Sequence, residues 1–198
     1  MRLRSIALSI MPCWLALAAG APLAAGANEA ELWSLLKAGG QVVLMRHTET
    51  APGVGDPPGM RIDDCSTQRN LTEEGRKHAK AIGEAVQAHG VSFDRVIVSP
   101  MCRCVDTAKI AFGRVDETQS TANPRAGTED RARAVRDTRA TASEKRRGNT
   151  ILISHTSTIG AVTELYVDPG EMLIVTPQGD GKFEIRGRLM AAAPPAVK

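Results

Sequence analysis

A single three-layer α/β/α domain with a mostly parallel central sheet is the fold this sequence predicts. Three observations predict it. Short aliphatic strands alternate with helical segments from residue 29 to residue 188. Three of those strands, at residues 41–45, 93–98 and 150–154, are of the buried type, and each ends in polar residues that enter a loop or a helix. The 198 residues suffice for one domain with a real core, and no internal repeat or linker divides them.

Each element has its own signal. Residues 29–38 have helical spacing, with Leu32, Leu35 and Leu36 on one side and Gly39-Gly40 as the stop. Residues 41–45 form a strand. Residues 51–64 carry Pro52, Gly53, Gly55, Pro57, Pro58 and Gly59 and must be a loop. Thr72 can cap a helix whose first turn holds Glu73 and Glu74, where the helix dipole favours negative charge. That helix runs to about His89, buries Ala79, Ile82, Ala85 and Val86, and stops at Gly90. His78 is expected on its surface and His89 at its end. The second strand ends at Ser99-Pro100, and a helix spans about 101–112. Residues 113–149 hold only Val115 and Val135 as large aliphatics, so an exposed helix over about 129–146 is expected, with little order elsewhere. After the third strand come a helix over 157–166 and two strands, 172–176 and 183–188, joined by the turn Gln178-Gly179-Asp180-Gly181. The Ala/Pro-rich residues 191–198 read as a frayed, disordered tail.

The first 27 residues read as a secretory signal peptide. Arg2 and Arg4 are basic, residues 6–17 are apolar but short for a membrane span, and Ala25-Gly26-Ala27 offers a small-residue cleavage site. The expected organisation is a signal peptide at 1–27, a catalytic domain at 28–190, and the tail. The formal net charge of +3 falls when Arg2 and Arg4 leave, with 23 Lys+Arg then facing 22 Asp+Glu. That balance argues against a nucleic-acid or membrane-surface protein. Export also predicts a periplasmic or secreted location and no membrane attachment after cleavage. Cys13 leaves with the leader, so Cys65, Cys102 and Cys104 predict one bridge and one free thiol. The bridge is expected from Cys65 to Cys102 or Cys104, with Cys65–Cys104 as the working pair.

The chemistry concentrates at three strand ends. The first carries Arg46-His47, the second leads through Ser99-Pro100 to Arg103 in the first helical turn, and the third ends in Ser154-His155-Thr156. Neighbouring strands of one sheet would gather two arginines and two histidines beside helix N-termini that favour anions. Arginine grips phosphate through a planar fork of donors, and histidine can act as a nucleophile. The four histidines show no close metal-ligand spacing, so neither a metal nor a cofactor is expected.

The chain resembles the histidine phosphatase superfamily, with its phosphoglycerate mutase-like fold. Arg46-His47 with Glu49-Thr50, then Leu71-Thr72 through Gly75, then Ser99-Pro100 with Arg103 and Thr107-Ala108, then His155 follow the family's order. The run Asp64-Cys65-Ser66-Thr67-Gln68-Arg69-Asn70-Leu71, and Gly170-Glu171-Met172 after the second histidine, look like an exported bacterial branch. Thr48 stands where Gly is common. The resemblance implies that His47 attacks phosphorus to form a phosphohistidine that water hydrolyses. Arg46, Arg103 and His155 would hold the phosphoryl oxygens, with His47 neutral, His155 protonated and their pKa values pushed apart. Arg69 would line the pocket or lie in solvent, and Thr156 is a candidate substrate contact. The proton donor is the weakly specified part: Glu129 is the best-spaced candidate, with Glu117 and Asp130 behind it and Glu171 as a further one, while Thr156 replaces the Asp of acid-phosphatase relatives.

The function so implied is an exported, metal-independent phosphomonoester hydrolase acting on a small phosphoester, with inorganic phosphate as a ligand. The alternatives are a catalytically weak phospho-ligand-binding protein and a phosphohistidine protein phosphatase.

Overall fold

The computed structural model describes residues 27–119 and 128–194. Its centre is a six-stranded sheet built from β1 (Val42–Arg46), β2 (Arg95–Val98), β3 (Glu117–Thr118), β4 (Thr150–Ser154), β5 (Met172–Gly179) and β6 (Lys182–Leu189), in the spatial order β3-β2-β4-β1-β5-β6. The pairs β3/β2, β2/β4 and β4/β1 are parallel, and β5 and β6 add an antiparallel hairpin beside β1. Side chains alternate along each strand, so the sheet has two apolar faces. Val43, Met45, Val96, Val98, Ile151 and Ile153 pack with α1 (Glu29–Ala38), α2 (Glu73–Ala88) and α3 (Cys102–Phe112). Val42, Leu44, Ile97, Leu152, Leu173 and Val175 pack with Ala142 of α4 (Thr128–Ser143) and Ile159 of α5 (Thr156–Thr163). The expected three-layer domain with a mostly parallel sheet is what the chain forms.

Local signals place the helices. Asn28 and Glu31 make a reciprocal capping box on α1, and the Thr72 hydroxyl accepts from Gly75 N at the start of α2. Four expectations need correction. The two-residue strand β3 continues the sheet at its edge, inside a stretch expected to lack order. α4 is not simply an exposed helix: Ala134, Thr138, Thr141 and Ala142 are buried, because small side chains let it lie close against the sheet. His78 is fully buried, donating through Nε2 to the Ala192 carbonyl at 3.0 Å. The same contact, with Ala191 and Ala192 packed on the core, fastens the beginning of the segment expected to fray. Of the expected signal peptide at 1–27, residues 1–26 lie outside the described residues, as do residues 195–198 of the expected tail.

Register positions the site. Arg46 lies opposite Ser154 across β1/β4, and Val98 opposite Ile153 across β2/β4. The carboxyl ends of β1, β2 and β4 therefore finish level, which is where open α/β sheets bind ligands.

Candidate active site

His47 leaves the end of β1 with its main-chain N–H donating to Ser154 O at 3.1 Å. Its Nδ1 lies 2.7 Å from the Thr48 carbonyl oxygen. A carbonyl can only accept, so the proton sits on Nδ1 and Nε2 keeps its lone pair. The ring is 3% exposed. Burial, opposed by the Thr48 bond and reinforced by the charges of Arg103, Arg46 and Arg69, pushes its pKa down to about 3. His47 is therefore a neutral base with one free nitrogen.

His155, reached from the end of β4, stands beside it, with ring centroids 5.4 Å apart and planes at 68°. Its Nε2 meets the Ser99 hydroxyl at 2.9 Å. Burial, together with Arg103, His47, Arg69 and Arg46, holds its pKa well below the ordinary histidine value. This departs from the expectation of a protonated His155 with the two pKa values pushed apart. Both rings are buried among the same guanidiniums, so both are driven the same way.

Three arginines converge on these rings. Arg103, in the first turn of α3, is 1% exposed; its Nη1 donates to Asp56 Oδ1 at 2.9 Å, and its buried Nε has no hydrogen-bond partner. Arg69 donates from Nη1 to Val54 O at 2.7 Å, and its Nε is likewise buried and unpaired. Arg46 is half-buried and donates to Val167 O at 3.2 Å. Burial lowers the Arg69 pKa, and the charges of Arg103 and Arg46 lower it further against the opposing pull of Asp56. Of the two readings of Arg69, the pocket is the one the structure supports. The four side chains expected to share one pocket, Arg46, His47, Arg103 and His155, are brought together.

Supporting contacts explain the spacing of the motifs. The Thr107 hydroxyl donates to Arg103 O at 2.7 Å and accepts from Thr48 N at 3.3 Å, tying α3 to the loop after His47. The Thr48 hydroxyl lies 3.3 Å from the same oxygen, so its presence in place of Gly adds a buried polar contact. Glu49 bonds His78 Nδ1 at 2.8 and 2.9 Å, anchoring the loop to α2.

The disulfide joins Cys65 to Cys102, with Cα atoms 5.7 Å apart, and Cys104 is the free cysteine. The working pair Cys65–Cys104 is thus corrected in favour of the other option. Two residues along a helix turn the side chain to the far side, so Cys102 faces the loop while Cys104 enters the core beside His155, 3.9 Å from its Nε2. Burial pushes the Cys104 thiol up to about 12, which keeps it protonated.

The remaining candidates lie differently. Thr156 Oγ1 accepts from Val167 N at 3.3 Å and so holds the segment that contacts Arg46. Glu171 receives Arg188 Nε and Nη2, each at 2.7 Å, and Asp168 N at 2.8 Å. Burial would raise its pKa, but these bonds prevail and lower it, which favours the carboxylate form. Glu129 and Asp130 are exposed in the first turn of α4, and Glu117 is ion-paired with Arg95. None of them hydrogen-bonds a pocket group. Sequence reading missed Asp56 and Gln68. Gln68 Oε1 accepts from Cys102 N at 2.9 Å and caps α3, while its Nε2 donates to the carbonyls of Arg61 and Ile62 at 3.0 Å. Both sit in loops without periodicity, where only their helix-capping and ion-pairing chemistry could have drawn attention.

The sequence model described as "Histidine phosphatase superfamily (branch 1)" matches residues 42–125. Mitochondrial serine/threonine-protein phosphatase Pgam5 of Drosophila willistoni is 31% identical over 80 residues, which are 40% of this chain and 24% of that protein. The chain thus spans about a quarter of the length of the curated relatives it matches. Among solved structures, protein histidine phosphatase SixA complexed with tungstate aligns with a TM-score of 0.56 at 17% identity, covering 76% of this chain and 97% of that one. The alpha-ribazole phosphatase of Shigella flexneri aligns at 0.53 and 16%, covering 74% and 94%. At such identities these structures establish the fold. The model match runs from β1 through α3, and the rest of the sheet completes the fold of these solved structures around Arg46, His47, Arg103 and His155.

Proposed function

We propose that this pocket is the catalytic centre of a metal-independent phosphatase with His47 as its nucleophile. One observation carries the reading. Three guanidiniums, two of them with buried and unpaired Nε–H groups, converge on a histidine held neutral with its Nε2 free. A phosphoryl group brings oxygens for those donors and a phosphorus for that lone pair. Buried donors without partners are costly, and a recurring anionic ligand accounts for them.

In the first step the His47 Nε2 lone pair forms the N–P bond while the ester P–O bond breaks, and the electron pair leaves on the oxygen of the alcohol. Arg46, Arg69 and Arg103 offset the charge on the equatorial oxygens, the role that metal ions fill in other phosphoryl-transfer sites. In the second step water forms a P–O bond as the N–P bond breaks, the electron pair returns to Nε2, and the proton that the water gives up to solvent balances the one that the leaving alkoxide takes from solvent. The Nδ1–H bond to Thr48 keeps the ring oriented throughout.

The substrate class we favour is a phosphomonoester. A phosphohistidine protein substrate is the second reading. It is favoured by the state of the carboxylate candidates, Glu171 being bound by Arg188 and Asp168 N and Glu129 being exposed, because a P–N leaving group has less need of a strong acid. Export is part of the proposal; the leader-like residues 1–27 and the Cys65–Cys102 bridge support it. The test is phosphate release by the purified protein from an aryl phosphate, an alkyl phosphate and a phosphohistidine peptide, each with and without EDTA. EDTA-resistant release from aryl and alkyl phosphates is expected. Release confined to the peptide would favour the second reading, and no release from any of them would sink both.

A further inference from the structure

Asp56 is a 7% exposed carboxylate in a stretch, residues 52–59, whose other residues are all exposed. Its Oδ1 accepts from Arg103 Nη1 at 2.9 Å and from the main-chain N–H of Arg69 at 3.1 Å. One oxygen therefore joins the helix that carries one pocket arginine to the segment that carries another. The loop is built to deliver that oxygen. Pro57 confines the Asp56 backbone to extended conformations, and turns at Gly53 (φ 68°) and Gly59 (φ 78°) bracket it. Beyond it, the Arg61 carbonyl is held by Gln68, whose other end caps α3 beside the disulfide. Arg69 in turn donates back to Val54 O, two residues before Asp56. Arg103 Nη1 also reaches Arg69 O at 3.4 Å, closing the circuit. The pair is buried on both sides, with 1% and 6% side-chain exposure, so losing the acceptor oxygen takes from the buried Arg103 Nη1 its shortest hydrogen bond.

We infer that Asp56 is a positioning residue that locks Arg103 and Arg69 into one phosphate-binding unit. The inference rests on the phosphatase reading for its kinetic consequence but not for its binding consequence. A guanidinium Nη1 committed to Asp56 leaves Nε and Nη2 of Arg103 to meet a phosphoryl group with a fixed fork direction. Displacing such a donor by about an ångström is enough to cost on the order of a hundredfold in rate.

The experiment compares Asp56→Asn and Asp56→Ala with the unaltered protein. Asparagine keeps a carbonyl oxygen for both N–H donors, and alanine keeps none. Inorganic phosphate binding is measured by calorimetry, kcat and KM on an aryl and an alkyl phosphate, and folding by thermal melting with the disulfide verified by mass. Asp56→Ala is expected to lose roughly a hundredfold in kcat/KM and at least tenfold in phosphate affinity, and Asp56→Asn to stay within about fivefold on both. Three results would overturn the inference. One is an alanine variant that keeps wild-type affinity and rate. Another is an alanine variant that binds phosphate more tightly, which would make Asp56 a competing internal anion. The third is an asparagine variant that folds but loses alkyl-phosphate hydrolysis selectively, which would make Asp56 the leaving-group acid. If alanine prevents folding, a folded Asp56→Asn variant with a hundredfold loss still refutes it. Phosphate binding without turnover in the unaltered protein would defeat the phosphatase reading and leave the binding comparison intact.

Discussion

His47 is held by two main-chain contacts, and they act on different parts of its chemistry. The N–H bond to Ser154 O places the residue, and the Nδ1–H bond to Thr48 O selects the tautomer. Replacing the side chain disturbs neither strand, because the residue follows β1 and its core neighbours Leu44 and Met45 stay in place. His47→Ala is therefore expected to melt within a few degrees of the parent and to lose roughly ten-thousand-fold or more in kcat, the scale seen when a nucleophile is removed. Near-normal turnover in that variant, measured as phosphate release, refutes the nucleophile assignment. In the proposed reaction Arg103 acts on the developing charge instead. Arg103→Ala is expected to lose about 10²–10³ in kcat, equivalent to about 2.7–4 kcal/mol of transition-state stabilisation. Arg103→Lys should recover little of it, because an ammonium cannot donate to Asp56 and a phosphoryl group through one rigid fork. Full recovery in the lysine variant would reduce Arg103 to a point charge.

Helices and loops meet the site through close approaches that leave no room for change. A Cβ at Gly75 would lie 2.2 Å from the Glu49 carbonyl oxygen, so α2 touches the loop after His47 with bare backbone. Gly75→Ala is expected to push that loop away, lowering stability by about 1–3 kcal/mol and reducing kcat as well. Loss of stability with unchanged kcat would show that the contact is only structural. The disulfide acts on the neighbouring segment. It closes a loop spanning 37 positions and fixes the chain that bears Gln68 and Arg69 to the first residue of α3. Reduction, or Cys65→Ser, is expected to lower stability by about 2–4 kcal/mol and to weaken phosphate binding; an unchanged urea midpoint argues against it. These elements also show what could be read in advance. The strands at 42–46 and 150–154 announce themselves by aliphatic runs, and the helix cap at Thr72 by its residue type. Arg46, His47, Arg103 and His155 are legible because they follow such runs. Asp56 and Gln68 are not, since a loop residue's partner 34 or 47 positions away leaves no local pattern. α4 misleads for the opposite reason: alanine and threonine fill its buried face, so its sequence lacks the large apolar stripe that marks a packed helix.

At the scale of the whole molecule, folding is linked to pH through the buried rings. Folding lowers the pKa of His47 from 6.5 to about 3 and that of His155 well below 6.5. Below pH 6.5 the unfolded chain therefore binds protons at these positions that the folded chain refuses, and stability falls as pH falls through the window between 6.5 and about 3. In its steep part the fall approaches about 1.4 kcal/mol per pH unit for each histidine. Glu171 pulls in the same direction, but its lowered pKa places its contribution below the carboxylate range of about 4.5. Measurements between pH 6.5 and 5 thus isolate the histidines from it. Urea midpoints of the parent protein should drop across that interval, and His47→Asn should flatten the drop by about one histidine's share. A bound phosphate reverses the sign of the local field, since an anion among Arg46, Arg69 and Arg103 favours imidazolium where the bare guanidiniums oppose it. The pH slope of the parent should therefore shrink in saturating phosphate, and that of His47→Asn should change less. If the parent and His47→Asn show the same slope, with or without phosphate, His47 is not the buried neutral ring that the proposed chemistry requires.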